Sequence, residues 1–206
     1  MLFDILALIS TLFIIAVMRR IVDFMPTMLS CIVWWKENVN IDVSLKIRRD
    51  RNLVAGALIL PFCLLATWAG LYSPDFTTGM SLAARLGITT GVFFCYILLR
   101  EGIAAGIRPR RFSGNIWHAA TSTEYTFFIP LVMTLLVAGG IMSLTSATSD
   151  TIKVAMFWIS GTIYLMFLVR KLQIFSSNCN LFSAFLYLCA LEILPTGVLI
   201  TSAVIF

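Results

Sequence analysis

The chain has 206 residues, of which 60% are hydrophobic and only 12% are charged, and its formal net charge is +5. Together with a mean hydropathy of +0.96, this composition excludes a water-soluble globular domain and predicts an integral membrane protein. The surplus of positive charge is expected of a chain whose loops contact anionic lipid, and it does not indicate nucleic-acid binding.

The apolar segments predict six membrane-spanning helices in a single membrane domain, residues 1–206. Because the hydrocarbon core is about 30 Å thick and an α-helix rises about 1.5 Å per residue, a span needs roughly 20 mostly apolar residues. The alternating pattern of membrane β-barrels is absent, so the predicted fold is an all-α polytopic bundle. The predicted spans are residues 1–18, 52–72, 82–99, 119–144, 152–169 and 181–206.

The first span is followed by an apolar patch in the first connecting loop. The span lacks the positive n-region of a signal peptide and has Arg19 and Arg20 behind it, so we interpret it as retained. The patch, residues 24–35, is too short to cross the bilayer and is predicted to be an interfacial helix. Trp34 and Trp35 would then contact lipid headgroups. A surface that docks a partner protein is the alternative interpretation.

The third span carries small residues at four-residue spacing. Ala83, Gly87 and Gly91 fall on one smooth face, which predicts that another helix approaches closely there. The sequence leaves open whether that helix belongs to this chain or to a second protein.

Basic residues fall almost entirely in alternate connections. Of the fifteen Lys and Arg residues, all but Arg85 and Lys153 lie in or beside the first, third and fifth connections. Since such residues concentrate in cytoplasmic loops, we predict that both termini face outward, on the side opposite the cytoplasm. The third connection contains Arg108, Arg110 and Arg111. These arginines either only set the topology or also bind a phosphate or lipid headgroup.

The fourth span begins with polar residues. Glu124 lies about two turns inside the span, and Tyr125 and His118 lie along a neighbouring face. Pro130 interrupts this helix, as Pro61 interrupts the second span. Interior prolines are typical of broken helices that line a cavity, although membrane helices also tolerate proline in general.

The sixth span contains an acid close to a helix-breaking residue. Glu192 lies about 16 Å along the helix from Leu181, near the bilayer midplane. An ionised carboxylate facing lipid there would cost about 3 kcal/mol, so Glu192 is expected to be protonated or to point inward to a partner. Pro195 frees the carbonyl of Leu191, so the helix is predicted to kink beside the acid. Glu192 either holds helices together through a hydrogen bond or handles a proton or ion.

The remaining residues support neither a metal site nor a catalytic site. One histidine, His118, and five cysteines without a Cys-x-x-Cys motif cannot assemble a zinc or haem site, and no disulfide framework is expected. There is no Gly-x-Ser-x-Gly motif, and the aspartates lie in loops, at interfaces or at the start of the chain. The chain is therefore expected to bind no cofactor and not to be an enzyme.

The C-terminal segment has the sequence Phe185-Leu-Tyr-Leu-Cys-Ala-Leu-Glu-Ile-Leu-Pro195. This segment resembles the signature of domain-of-unknown-function family 4271, small multi-spanning inner-membrane proteins of Bacteroidetes-type bacteria. A looser similarity extends to the polar start of the fourth span and its Phe-Phe-Ile-Pro130. The resemblance implies a multi-pass protein of the bacterial inner (cytoplasmic) membrane, and the outward-facing termini would then lie in the periplasm. The family has no assigned catalytic residues to carry over.

Three functions remain as predictions. The first is a non-enzymatic component or accessory of a larger envelope complex, embedded in the lipid bilayer with other membrane subunits or as a homo-oligomer. The alternative is a small proton- or ion-coupled transporter or channel that uses Glu192, which predicts a water-filled cavity reaching the bilayer midplane. A lipid-modifying enzyme that uses the arginine-rich loop is the weakest hypothesis, since no nucleophile or metal ligand accompanies those arginines.

Overall fold

A computed structural model describes residues 2–34, 44–72, 74, 77, 79–106, 114–145, 148–177 and 180–205. These residues contain six helices that are long and apolar enough to cross a membrane. No strand occurs in the described ranges. The prediction of an all-α bundle with six spans is confirmed, and the chain is a multi-pass membrane protein.

Five helices are continuous and the sixth is interrupted. The continuous helices are α1 (Leu2–Val33), α2 (Leu45–Trp68), α3 (Leu82–Gly106), α4 (Gly114–Leu144) and α5 (Ser149–Ser176). The sixth, α6, consists of an α-helical part (Leu181–Leu188), a π-helical turn (Cys189–Ile193) and a second α-helical part (Leu194–Ile205). Several helices extend beyond the predicted spans into basic sequence, because a charged residue ends a hydropathy window but does not end a helix.

The structure corrects the prediction for the first connecting loop. The apolar patch predicted as a separate interfacial helix is the last part of α1 up to Val33. Its apolar residues continue a helical stripe that begins at Val17, and the stripe is buried against α2 and α4. Trp34 follows the helix and is 66% exposed, whereas Trp35 lies outside the described residues. The buried stripe consists of Val17, Ile21, Phe24, Met28 and Cys31.

Five of the helices form a closed ring. Contacts join α2 to α4, α4 to α5, α5 to α6, α6 to α3, and α3 back to α2. The remaining helix, α1, packs outside the ring, mainly against α2. One end of the bundle holds the C-termini of α1, α3 and α5 and the N-termini of α2, α4 and α6, and we call it the basic end because most Lys and Arg residues lie near it.

The small-residue face of α3 lies outside the ring. Ala83, Gly87 and Gly91 are all exposed, and a Cβ atom added to either glycine would meet no atom within 4 Å. The close contact predicted for this face is therefore not made by any other described part of the chain.

Gly139 of α4 lies at a close helix contact. A Cβ atom added there would lie 2.9 Å from Cε of Met156 on α5 and 3.2 Å from Cδ1 of Leu65 on α2. Its neighbour Gly140 is exposed, and a Cβ atom added at that position would meet no other atom within 4 Å. The absence of a side chain at Gly139 therefore lets α2, α4 and α5 approach one another.

Gly139→Leu is expected to lower the thermal stability of the purified protein, because an added side chain overpacks this junction at a typical cost of about 1–3 kcal/mol. Gly140→Leu makes the same chemical change on the exposed face and is expected to leave the melting temperature close to that of the wild type. Thermal unfolding of both variants in detergent checks the difference. Equal melting temperatures for the two variants would contradict the close packing at Gly139.

Candidate intramembrane charge network and cavity

Glu192 lies inside the ring, in the π-helical turn of α6. Its side chain is only 1% exposed. The turn is closed by a bond from the N–H of Leu194 to the carbonyl oxygen of Cys189, five residues earlier. A kink is predicted beside Pro195, and what the structure shows is a π-helical turn just before the proline. Such turns are frequent at functional sites, because the extra residue changes which side chains face the interior.

Arg100 of α3 binds Glu192 in a forked arrangement. Its Nε donates to both carboxylate oxygens of Glu192, at 3.1 and 3.0 Å, and its Nη2 donates to Oε1 at 2.5 Å. The third nitrogen of the guanidinium, Nη1, forms an ion pair with Oε2 of Glu124 on α4. One arginine therefore links α3, α4 and α6, and its planar fork suits two carboxylates at once.

Lys171 of α5 supplies a second cation. Its side chain is fully buried, and its ammonium forms an ion pair with Oε1 of Glu192. The same nitrogen lies 5.5 Å from the ring centroid of Phe167 and 5.9 Å from that of Phe175. Aromatic faces at this distance attract a cation when water is excluded, so the rings add to the stabilisation given by Glu192.

Arg100, Glu124, Lys171 and Glu192 form what we call the charge network. Two cations face two carboxylates, so the formal charges cancel. Each ion carries a desolvation penalty of several kcal/mol inside a protein, which only good geometry and further hydrogen bonds offset. Because the partners come from α3, α4, α5 and α6, the network requires these four helices to be in register.

Hydroxyl groups of α3 and α5 form hydrogen bonds to α6 around the π-helical turn. The hydroxyl of Tyr164 on α5 lies 3.2 Å from the carbonyl oxygen of Glu192 and 3.1 Å from Oγ1 of Thr196. The hydroxyl of Tyr96 on α3 lies 3.3 Å from the same Thr196 oxygen. Tyr164 therefore gives the Glu192 carbonyl a side-chain donor, and the two tyrosines connect α3 and α5 to Thr196 of α6.

A cavity of about 430 Å³ lies at the centre of the ring and reaches the charge network. Residues of α2, α3, α4, α5 and α6 all contribute to its wall. Most of the wall is apolar and much of it is aromatic, and the polar groups are concentrated toward the basic end. A cavity of this size and character is typical of sites that bind small organic molecules. Its aromatic residues are Phe62, Phe93, Tyr96, Tyr125, Phe127, Phe128, Tyr164 and Phe167.

The structure brings together most of the polar residues singled out in the sequence. Glu192 and Glu124 share Arg100, and Pro195 is buried directly after the π-helical turn. Tyr125 lines the cavity, and its hydroxyl donates to Oε1 of Glu101 at 3.3 Å.

Other predicted site residues cannot be assigned to the site. His118 lies in α4, but its side chain is not among the parts described. The arginines predicted to bind a phosphate or headgroup, Arg108, Arg110 and Arg111, lie outside the described residues. The headgroup contact predicted for Trp34 stays a prediction.

Sequence reasoning missed the two cations of the network. Arg100 and Lys171 were counted among the residues that set the topology, but they are buried in α3 and α5 and bind Glu192. A usable signal was present. An intramembrane carboxylate requires a cationic or hydrogen-bonding partner, and these two residues stand at the edges of predicted spans, where a long side chain reaches inward.

No metal centre is evident in the described ranges, where no three His, Cys, Asp or Glu side chains converge. Comparisons of the chain with protein-family models, with curated proteins and with solved structures found no match. The resemblance to family 4271 rests on the quoted C-terminal segment and stays a prediction.

Proposed function

We propose that this multi-pass membrane protein is a small carrier that holds a ligand in the central cavity and couples its movement to the charge network. The observation that carries the proposal is that the cavity and the network share residues: Arg100, Glu124 and Glu192 belong to both. A network that served only to hold helices together would not need a cavity of about 430 Å³ beside it.

Glu124 is the member of the network best suited to exchange partners. Its side chain is 26% exposed, whereas that of Glu192 is 1% exposed. Glu192 is bound by two cations from two helices, and Glu124 is bound by Arg100. Protonation of Glu124, or a ligand group that binds it, would release one nitrogen of Arg100 and weaken the link between α3 and α4. The sequence drew attention to Glu192, but the geometry favours Glu124 as the mobile partner.

The distribution of basic residues supports an orientation of the carrier in the membrane. We propose that the basic end faces the cytoplasm of a bacterial inner membrane, which leaves both termini in the periplasm. A component of a larger envelope complex is the second candidate. It is favoured by the exposed small-residue face at Ala83, Gly87 and Gly91, which other described helices leave uncovered.

Thiol accessibility tests whether the network controls the cavity. In a background with all five native cysteines replaced by alanine, Ile163→Cys places a reporter in the cavity wall, and Val132→Cys places one in the packed core. N-ethylmaleimide, which is small and neutral, is expected to label the first thiol and to spare the second. Glu124→Gln is expected to change the labelling rate of the cavity thiol, because it frees Arg100 from one carboxylate.

Glu101→Gln is the matched control for that experiment. Glu101 lies on α3 beside the network and accepts a hydrogen bond from Tyr125, but it is exposed. The same amide substitution there is expected to leave the labelling rate unchanged. Equal labelling rates in the Glu124→Gln variant and in its parent would contradict coupling between the network and the cavity, and with it the carrier proposal.

A further inference from the structure

The cavity wall contains two exposed residues of α2, and one of them also lines a groove on the outer surface of the bundle. Asn52 and Gly56 of α2 line the cavity, yet both are exposed. One and two turns further along the same face, Ile59 and Cys63 pack against α3 in a cluster that includes Leu86. Helices α2 and α3 are therefore in contact near the far end of the bundle and separate toward the basic end.

Gly56 lies at the edge of this gap. A Cβ atom added to Gly56 would meet no other atom within 4 Å, so the space beside it is open. Across the gap, the cavity wall on α3 includes Ile97 and Arg100. A path therefore leads past Gly56 from the outer surface to the charge network.

The outer helix α1 does not cover the gap. Together with α2 it forms a groove that reaches the gap at Gly56. The buried stripe of α1 packs in a cluster with Val54 and Leu58 of α2, which do not line the cavity. A groove of about 640 Å³ between α1 and α2 is lined by apolar residues and Arg20, and it shares Gly56 with the central cavity. The groove and the cavity thus meet at one glycine on the surface of the bundle.

The chemistry along this path selects a membrane-dissolved molecule over a water-soluble one. Gly56 lies five residues, about 7.5 Å along the helix, beyond Arg51, the last charged residue of α2, and so in the apolar part of the span. The cavity wall is mostly aromatic and aliphatic. The charges of the network cancel, so neither an anionic nor a cationic head finds an unmatched partner there. A neutral hydroxyl head can donate to a carboxylate oxygen of Glu124 or to the phenolic oxygen of Tyr125, whose own proton is donated to Glu101.

We propose that the gap between α2 and α3 at Gly56 is a lateral portal through which a neutral single-chain amphiphile with a hydroxyl head enters the cavity from the bilayer. The head binds at the polar end of the cavity, beside Glu124, and the chain occupies the apolar wall and the groove along α1. This inference rests on the carrier proposal, and it adds the ligand class and the route by which the ligand enters.

Photo-crosslinking in lipid nanodiscs tests the portal. The probe is a hexadecanol that carries a diazirine, and crosslinked positions are mapped by mass spectrometry with unlabelled hexadecanol as competitor. Competable labelling is expected in the cavity wall, at Phe93, Ile97 or Phe128. Gly56→Trp is expected to abolish that labelling, and the smaller Gly56→Leu is expected to reduce it. Gly87→Trp, on an exposed face outside the cavity, is expected to have no effect.

The outcomes separate the two proposals. Undiminished cavity labelling in both folded Gly56 variants would overturn the portal. Stronger competition by hexadecanoate or hexadecylammonium than by hexadecanol would overturn the neutral ligand class. Labelling restricted to the outer helix faces would overturn the inference as a whole. If Glu124→Gln still changes labelling of the Ile163→Cys thiol by N-ethylmaleimide in those cases, the carrier proposal stands and only the portal fails.

Discussion

Glu192→Ala is expected to remove most of the folded protein from the membrane. Glu192 is the carboxylate that Arg100 and Lys171 share, and alanine would leave two buried cations with only Glu124 to balance them. Removing one partner from a buried ion pair typically costs about 3–5 kcal/mol, because the remaining charge is desolvated without compensation. That loss is comparable to the entire stability of many domains, which is about 5–15 kcal/mol.

Membrane abundance and thermal unfolding in detergent measure this effect. Glu192→Gln keeps an oxygen that accepts a hydrogen bond from Arg100 but loses the charge, so its stability is expected to lie between those of the wild type and Glu192→Ala. Glu101→Ala removes a neighbouring carboxylate that is exposed, and it is expected to have little effect. Wild-type stability in the Glu192→Ala variant would show that the network does not hold the bundle together.

Lys171→Met is expected to restore part of the stability that is lost in Glu192→Gln. Lys171→Met alone leaves the network with one surplus negative charge, and Glu192→Gln alone leaves it with one surplus positive charge. The double variant restores charge balance, since Arg100 then faces Glu124, and methionine fills the space of the lysine side chain among Phe167 and Phe175. The double variant is therefore expected to be more stable than the sum of the single effects predicts, by about 0.5–3 kcal/mol.

A double-mutant cycle of unfolding free energies measures this coupling. As a control, Lys153→Met replaces the interfacial lysine at the start of α5, far from the network, and its effect is expected to add to that of Glu192→Gln. Additive effects of Lys171→Met and Glu192→Gln would contradict a direct ion pair between the two residues.

The architecture was predictable because it follows from local properties of the sequence. Six spans result from hydropathy and from the thickness of the bilayer, and the number of helices is confirmed. The irregularity in α6 was also predictable, since a proline cannot donate a backbone hydrogen bond and Pro195 lies within a span. Both inferences concern one helix at a time and need no knowledge of its neighbours.

The charge network was not predictable in the same way, because it depends on which helices become neighbours. Arg100 and Lys171 stand next to loop sequence, and the rule that places basic residues in cytoplasmic loops accounted for both without a buried partner. Only the packing of α3 and α5 against α6 shows that both side chains turn inward to Glu192.

The length of α1 could have been predicted from its periodicity. Val17, Ile21, Phe24, Met28 and Cys31 recur at intervals of three and four residues across the point where the span was predicted to end. Arg19, Arg20 and Pro26 interrupt the hydropathy but lie off this stripe. A search for helical periodicity would therefore have joined the apolar patch to the first helix.

The position of Glu192 in α6 has a consequence for the order in which the protein is made. The ribosome releases α3 and α5, with their buried cations, before it releases α6. Arg100 can pair with Glu124 as soon as α4 is inserted, but among the described residues the anion that binds Lys171 arrives only with α6. Until α6 is inserted, the ammonium group of Lys171 therefore lacks the carboxylate that binds it in the assembled bundle. Burial of this lysine thus depends on a helix that is inserted after its own.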